Sequence, residues 1–336
     1  MRRLVYIGNK LESRGGAPTF TDTFVGMLKA EGFEVESASG FKNKPLRLSH
    51  MLFNILKNAS AESLVLIDTY STQNFWYAVY AGKLCRLLKL QYIPVLHGGN
   101  LQKRLNSNPK ECKALFSNAK INVIPSPYLY HIFEDYGIKN ITCIPNAIPV
   151  EDYDFEQRNS VQPKLLWVRA FDSIYNPLTA IKILEKILRS YPDAELCMVG
   201  PDKDGSLSEC EKYALSRDLP VKFTGKLDKR QWIELSRDYD IFLNTSGIDN
   251  MPLSVIEAMA LGFPVVSSNV GGIPHLISSG ENGLLVDPGD IEDFAGSIDL
   301  LVKNPSKTAT ISAKAREKAK NFDWAKVKAD WLQLLS

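Results

Sequence analysis

Short apolar runs alternate with longer amphipathic stretches along almost the whole chain. LVYIG (4–8) reads as a buried strand, followed by a glycine-rich loop, SRGGAPT (13–19). TFTDTFVGMLKAEG (19–32) then has helical spacing and stops at Gly32, and FEVESAS (33–39) and SLVLID (63–68) read as strands. NFWYAVYAGKLCRLLK (74–89) is helical, and YIPVLHGGN (92–100), INVIPS (121–126) and ITCIPN (141–146) complete the first half. After a polar, proline-containing segment, VEDYDFEQRNSVQPK (150–164), the pattern restarts with KLLWVRAF, a helix over about 178–190, AELCMVGP, VKFTGKL, DIFLNTS, PVVSS and GLLVDP. The last thirty or so residues are helical and end in DWAKVKADWLQLL. Strands and helices alternating at this spacing predict parallel α/β packing, with ligands outside the carboxyl ends of the strands. The polar segment is the expected linker. It separates a Rossmann-like N-terminal domain (1–160) from a Rossmann-like C-terminal domain (161–322), followed by a closing helix over about 323–336.

Composition narrows the classes without choosing among them. The chain has 336 residues, 45% hydrophobic and 23% charged, with a formal net charge of +2. A near-neutral balance argues against a nucleic-acid binder. Five cysteines, an odd number with no CxxC pair, read as reduced thiols rather than a disulfide framework or zinc site. MRRLVYIGNK carries too brief an apolar run for a signal peptide. No stretch approaches the roughly 18 apolar residues of a membrane span. The expected location is therefore cytoplasmic.

Chemistry concentrates in DNMPLSVIEAMALGFPVVSSNVGGIP (249–274). Asn250 reads as an N-cap and Pro252 is tolerated in a first helical turn, so a helix over about 251–260 is expected. The first-turn N–H groups at Met251, Leu253 and Ser254, with the helix dipole, form an anion site. Asp249 stands just before it and Glu257 well inside the helix. A carboxylate offers two acceptor oxygens to a vicinal diol, so an anion flanked by diols describes a sugar on a nucleotide diphosphate. Alternatively, Asp249 is a turn residue and Glu257 a solvated helix residue.

This stretch resembles the signature of retaining nucleotide-sugar glycosyltransferases of family 4, which have the GT-B fold. So do RGGAPT, HGG at 97–99, SPYL at 126–129, IPN at 144–146, VR at 168–169, VGP at 199–201, FTG at 223–225, GENGLLVDPGD and the closing FDWAKVKADWLQLL. The resemblance implies two facing Rossmann-like doubly wound parallel-sheet domains with a donor cleft between them, and a closing helix that packs back on the first. It implies a hexosyltransferase that moves a hexose or N-acetylhexosamine from a UDP-sugar or GDP-sugar to a sugar or lipid-linked glycan, with retention. No cofactor and no metal are implied.

Residue by residue, Glu257 would bind the nucleotide ribose. Asp249, one methylene shorter than the family's usual glutamate, would contact the donor sugar, and Asn250, Met251, Pro252 and Leu253 would line sugar and phosphate. Arg169 matches the diphosphate-binding arginine, and His97 the histidine that touches the transferred sugar; a satisfied structural histidine is the alternative. Gly15 and Gly16 would let the N-terminal loop approach the diphosphate. The family's lysine a few residues after the arginine is missing from RAFDSIYNP, which leaves only Tyr175 and Asn176 nearby and Lys10, Arg14 or Lys226 as alternative cations. Asn146 reads as mainly structural.

Two Asp-x-Asp triplets, Asp152–Asp154 and Asp238–Asp240, spell the metal-binding pattern of the other common glycosyltransferase fold, but lack further ligands in the sequence around them. FKNKPLRLSHMLFNILKNA (41–59) combines four cations with an apolar face. It reads either as an ordinary amphipathic helix packed on the first sheet or as a peripheral contact with the inner face of an anionic membrane. Two rival activities stay open: another GT-B reaction, such as sugar epimerisation or phosphorolysis, and non-catalytic binding of a nucleotide sugar.

Overall fold

A computed structural model describes residues 3–9 and 20–336. Gly15 and Gly16, with Lys10 and Arg14, lie outside the described residues. The chain forms two compact units, Met1–Pro145 with Val327–Ser336, and Asn146–Lys326.

The first unit holds β1 (Leu4–Ile7), β2 (Val35–Ala38), β3 (Leu64–Thr69), β4 (Gln91–Leu96), β5 (Asn122–Ile124) and β6 (Ile141–Cys143). They form one sheet in the order β2-β1-β3-β4-β5-β6, parallel throughout. All residues of β1 and β3 are buried, as expected where helices cover both faces of a parallel sheet. The chain leaves β1 toward one side for β2 and returns on the other for β3, so the topological switch point lies between β1 and β3. The closing helix, Trp324–Leu335, contributes its end to this unit. The Trp331 ring packs at a tilt against that of Phe24, 4.6 Å between centroids, and Lys328 pairs with Glu31 at 3.0 Å.

The second unit holds β7 (Lys164–Val168), β8 (Glu195–Val199), β9 (Val221–Gly225), β10 (Ile241–Asn244), β11 (Val265–Ser268) and β12 (Leu284–Val286). Their order is β12-β11-β10-β7-β8-β9, again all parallel. Here the switch point lies between β7 and β10. Both sheets are therefore doubly wound, as the alternation of runs predicts.

The division between the units falls at 145/146 rather than at 160/161, and the polar segment is not a free linker. Arg158 donates to the carbonyls of Glu156 and Leu261 and lies 4.0 Å from the Phe263 ring centroid. Arg316 donates to the carbonyls of Tyr153 and Ala260. The segment is polar because its partners are backbone carbonyls and charged side chains.

Candidate functional site

The second unit presents its polar side chains at the switch point. Arg169 directly follows β7, and its N–H is tied to the Val199 carbonyl at 3.0 Å. Asp249 lies in the loop after β10. Its Oδ2 accepts from Ser246 at 3.2 Å, its Oδ1 takes the Asn250 N–H at 3.0 Å, and it forms an ion pair with Nη2 of Arg169. Ser246 also reaches Asn244, whose amide donates to Ser267 at 2.8 Å, so a polar chain from β11 sets the carboxylate.

The backbone of Asp249 is equally constrained. Gly272 N–H donates to its carbonyl at 3.0 Å, and a Cβ on Gly271 would stand 2.0 Å from that oxygen. Gly271 also has φ +54°, a conformation that costs glycine nothing. The NVGGIP turn thus holds Asp249 from behind.

Arg169 is buried on most sides. Its guanidinium carbon sits 4.3 Å from the Tyr175 ring centroid, and its Nε has no hydrogen-bond partner among the described residues. Burial lowers its pKa, opposed by Tyr175, yet arginine remains charged at any ordinary pH. Tyr175 is itself fixed: Thr245, after β10, donates to its carbonyl at 2.9 Å or to that of Asn176 at 3.1 Å. In the position left without the family's lysine, the chain therefore supplies an aromatic face. That stack orients the guanidinium without adding charge.

The helix after this loop spans Leu253–Ala260 and starts two residues later than the sequence suggests. Pro252 is its N-cap, with no side-chain cap, and Asn250 is a buried loop residue rather than the cap. The reason is that Asp249 takes the Asn250 N–H, and the Met251 carbonyl accepts from Asn146 at 2.8 Å, which holds 250–251 outside the helix. Leu253 and Ser254 therefore supply the first-turn N–H groups, and the buried Ser254 Oγ has no partner among the described residues. An unpartnered hydroxyl, an unpartnered guanidinium nitrogen and a helix start suit an oxyanion.

Glu257 is not a solvated helix residue. Its Oε1 accepts from the Tyr153 hydroxyl at 2.6 Å, and burial raises its pKa above the usual 4.5, opposed by Tyr153 and by Lys229. Tyr153 is the centre of the first Asp-x-Asp triplet, whose acids face outward to Lys229 at 3.3 Å and Arg237 at 3.4 Å. In the second triplet, Tyr239 is buried against Cys197 and Asp240 accepts from the Gln162 N–H at 2.8 Å. Among the described residues no group of three acids, histidines or cysteines is placed to hold a metal ion.

In the first unit, His97 directly follows β4, and its Nε2 lies 2.8 Å from Oδ1 of Asp68, near the end of β3. Sequence reasoning passed over Asp68, Tyr153 and the stacking of Tyr175. An acid near the carboxyl end of the otherwise apolar run SLVLID was the available signal for Asp68.

The profile of the family described as glycosyl transferases group 1 matches residues 151–318. Sulfoquinovosyl transferase SQD2 of Arabidopsis thaliana is 33% identical over 151 residues, 43% of this chain and 28% of that protein. The chain spans less than half the length of the curated relatives it matches. Among solved structures, sucrose-phosphate synthase from Thermosynechococcus elongatus superposes with a TM-score of 0.81 at 17% identity, covering 99% of this chain and 98% of that one. Anabaena Alr3699/HepE in complex with UDP-glucose gives 0.77 at 18% identity, over 100% and 99%. At such identities these likenesses speak for the fold, and they make it GT-B. The family profile covers the whole switch-point loop, Arg169 and the helix Leu253–Ala260 with its Glu257. The chain belongs to the glycosyl transferases group 1 family.

Proposed function

We propose that this chain is a family 4 retaining glycosyltransferase that moves a hexose or N-acetylhexosamine from a nucleotide diphosphate sugar to a hydroxyl of a sugar or lipid-linked glycan. The observation that carries this reading is Arg169: a stacked guanidinium with an unpartnered Nε, at the switch point of a doubly wound sheet. Arg169 and the first-turn N–H groups of Leu253 and Ser254 hold the diphosphate, Asp249 orients the sugar, and Glu257 takes the ribose hydroxyls. By the family resemblance, His97 would meet the transferred sugar and Gly15 and Gly16 the diphosphate. The acceptor attacks the anomeric carbon from the side of the leaving diphosphate, whose oxygen takes the acceptor proton. The protein contributes positioning and charge stabilisation, with no side-chain nucleophile and no metal.

UDP is the first nucleotide to test, because Alr3699/HepE was solved with UDP-glucose. A thermal-shift panel of UDP, GDP, ADP and their sugar conjugates identifies the donor through selective stabilisation. Transfer is then followed by anomeric proton NMR with EDTA present. An inverted product, or activity lost to EDTA and restored by Mn²⁺, contradicts the reading.

Glu257 gives a pH signature. The ionised carboxylate offers acceptor positions on both oxygens to the ribose hydroxyls, whereas protonation turns one oxygen into a donor. Since burial places its midpoint above 4.5, nucleotide affinity declines as pH falls through that raised value. Glu257→Gln removes this acid limb, while the titration of the nucleotide's own phosphates remains. Superimposable pH profiles of the two proteins would take Glu257 off the ribose.

Among the described residues no helix is long and apolar enough to cross a membrane. The helix Lys44–Lys57, capped by Asn43, buries Met51, Asn54 and Ile55 but leaves Leu46 55%, Phe53 59% and Leu56 53% exposed. The same segment carries Lys42, Lys44, Arg47 and Lys57, of which Lys44 donates to Gln73 and Arg47 to the Phe41 carbonyl and Asn9, and residues 41–59 include no acid. We assign to it a peripheral contact with an anionic membrane on the cytoplasmic side. The protein is expected to sediment with phosphatidylglycerol vesicles and not with phosphatidylcholine vesicles. Phe53→Glu with Leu56→Glu should abolish that binding; equal binding by the double variant would refute the contact.

A further inference from the structure

We infer that Asp68 is a positioning residue for the proposed reaction: it fixes which nitrogen of His97 carries the proton, and so what that imidazole can offer a sugar hydroxyl. The inference rests on the reading of His97 given above.

Asp68 lies at the switch point of the first sheet, with 4% of its surface exposed. Both of its oxygens are taken. Oδ1 lies 2.5 Å from the Tyr6 hydroxyl and 2.8 Å from Nε2 of His97, and Oδ2 lies 2.6 Å from the Thr21 hydroxyl. Burial, and then the charge of Asp68, raise the Tyr6 pKa well above its usual value, so the phenol keeps its proton and donates. An ionised carboxylate can only accept. Nε2 of His97 must therefore be the protonated nitrogen, and in the neutral imidazole the lone pair stands on Nδ1. The residue is also held through its backbone, whose N–H donates to the Thr69 carbonyl at 3.0 Å, and the Tyr70 ring lies 5.3 Å from the imidazole.

Two observations separate this from a merely structural carboxylate. A Cβ on residue 8 would lie 2.3 Å from both Asp68 Oδ2 and Thr21 Oγ1, so the glycine after β1 leaves room for this cluster. Moreover, a buried charge is a weak source of stability, and apolar side chains fill such a place at lower cost. Asp68 is almost wholly buried and holds three donors on its two oxygens. It acts through His97, whose tautomer is set by the partner on the other nitrogen.

The test is long-range ¹H–¹⁵N correlation of the imidazoles in the full chain, which has four histidines, with His97 assigned by its loss in His97→Gln. The expected spectrum shows His97 as a single Nε2–H tautomer; the opposite tautomer, or a rapid average of both, overturns the inference without any variant at position 68. Asp68→Ala removes the acceptor that faces Nε2 and should release the imidazole to a mixture of both tautomers, whereas asparagine could keep its carbonyl on Tyr6 and His97 and turn its amide to Thr21. With UDP-glucose as the probe, kcat for transfer or hydrolysis should fall by about ten- to hundredfold, by analogy with the loss of partners that orient metal-bound histidines. UDP affinity and KM should stay within about threefold, since the nucleotide contacts are elsewhere. A folded variant with unchanged tautomer or unchanged kcat overturns the proposal. Absence of all turnover by the unsubstituted protein with any nucleotide sugar would defeat the donor reading instead, and the tautomer spectrum would still decide the pair.

Discussion

Arg169→Ala should weaken binding of UDP by about ten- to hundredfold and leave binding of uridine nearly unchanged. A charge-assisted hydrogen bond is worth about 1.5–3 kcal/mol, and each 1.4 kcal/mol or so is tenfold in affinity. The fold should survive, because the anchoring contact of residue 169 is its backbone N–H to Val199, which alanine keeps. Tyr175 remains held through Thr245 and loses only its stacked partner. Arg169→Lys should fall between the two proteins: it restores the charge but neither the planar donor fork nor the stack. Isothermal titration with UDP and uridine reads this directly. Equal losses for both ligands would make Arg169 a structural residue and remove the main support for the donor site.

What the sequence could and could not show follows from the range of the interactions. Strands such as LVYI and LVLIDT are apolar on both faces, and their neighbours in the sheet need not be known to recognise them. The motif residues Asp249 to Glu257 are local too, and the turn that holds Asp249 lies only twenty-odd residues further on. Asp68 was illegible because its meaning is tertiary: its partners Tyr6, Thr21 and His97 stand 62, 47 and 29 positions away. Tyr153 belongs to Glu257 across 104 positions, which turns a polar stretch that looks like a linker into part of the second unit. The start of the helix at Leu253 was misplaced for a similar reason. Asn250 has the chemistry of a cap, but Asn146 and Asp249 determine the backbone on either side of it. Local propensity proposes such positions and distant partners dispose of them.

Asp249→Asn should act in the opposite sense to Arg169→Ala on the bare nucleotide: affinity for UDP should rise, by roughly tenfold, or about 1.4 kcal/mol. In the structure the Asp249 carboxylate pairs with the same guanidinium that we propose holds the diphosphate. A diphosphate must therefore share Arg169 with a carboxylate and must also approach that carboxylate's negative charge. Unit charges about 4 Å apart interact by about 4 kcal/mol at an effective dielectric of about 20, so solvent screening and side-chain movement can remove most of that and still leave tenfold. Asparagine keeps the size and one acceptor oxygen, which can stay on the Asn250 N–H while the Ser246 hydroxyl turns to accept from the new amide, so the loop should hold its shape. The intact donor should respond differently. If Asp249 orients the sugar, Asp249→Asn gives tighter UDP binding together with slower transfer from UDP-glucose, because a misplaced sugar misaligns the attack. Titrations with UDP and turnover with UDP-glucose, run on one preparation, separate the two effects. Weaker UDP binding by this variant would show that the Asp249–Arg169 pair prepares the phosphate site rather than competing for it, and unchanged turnover would place the sugar elsewhere.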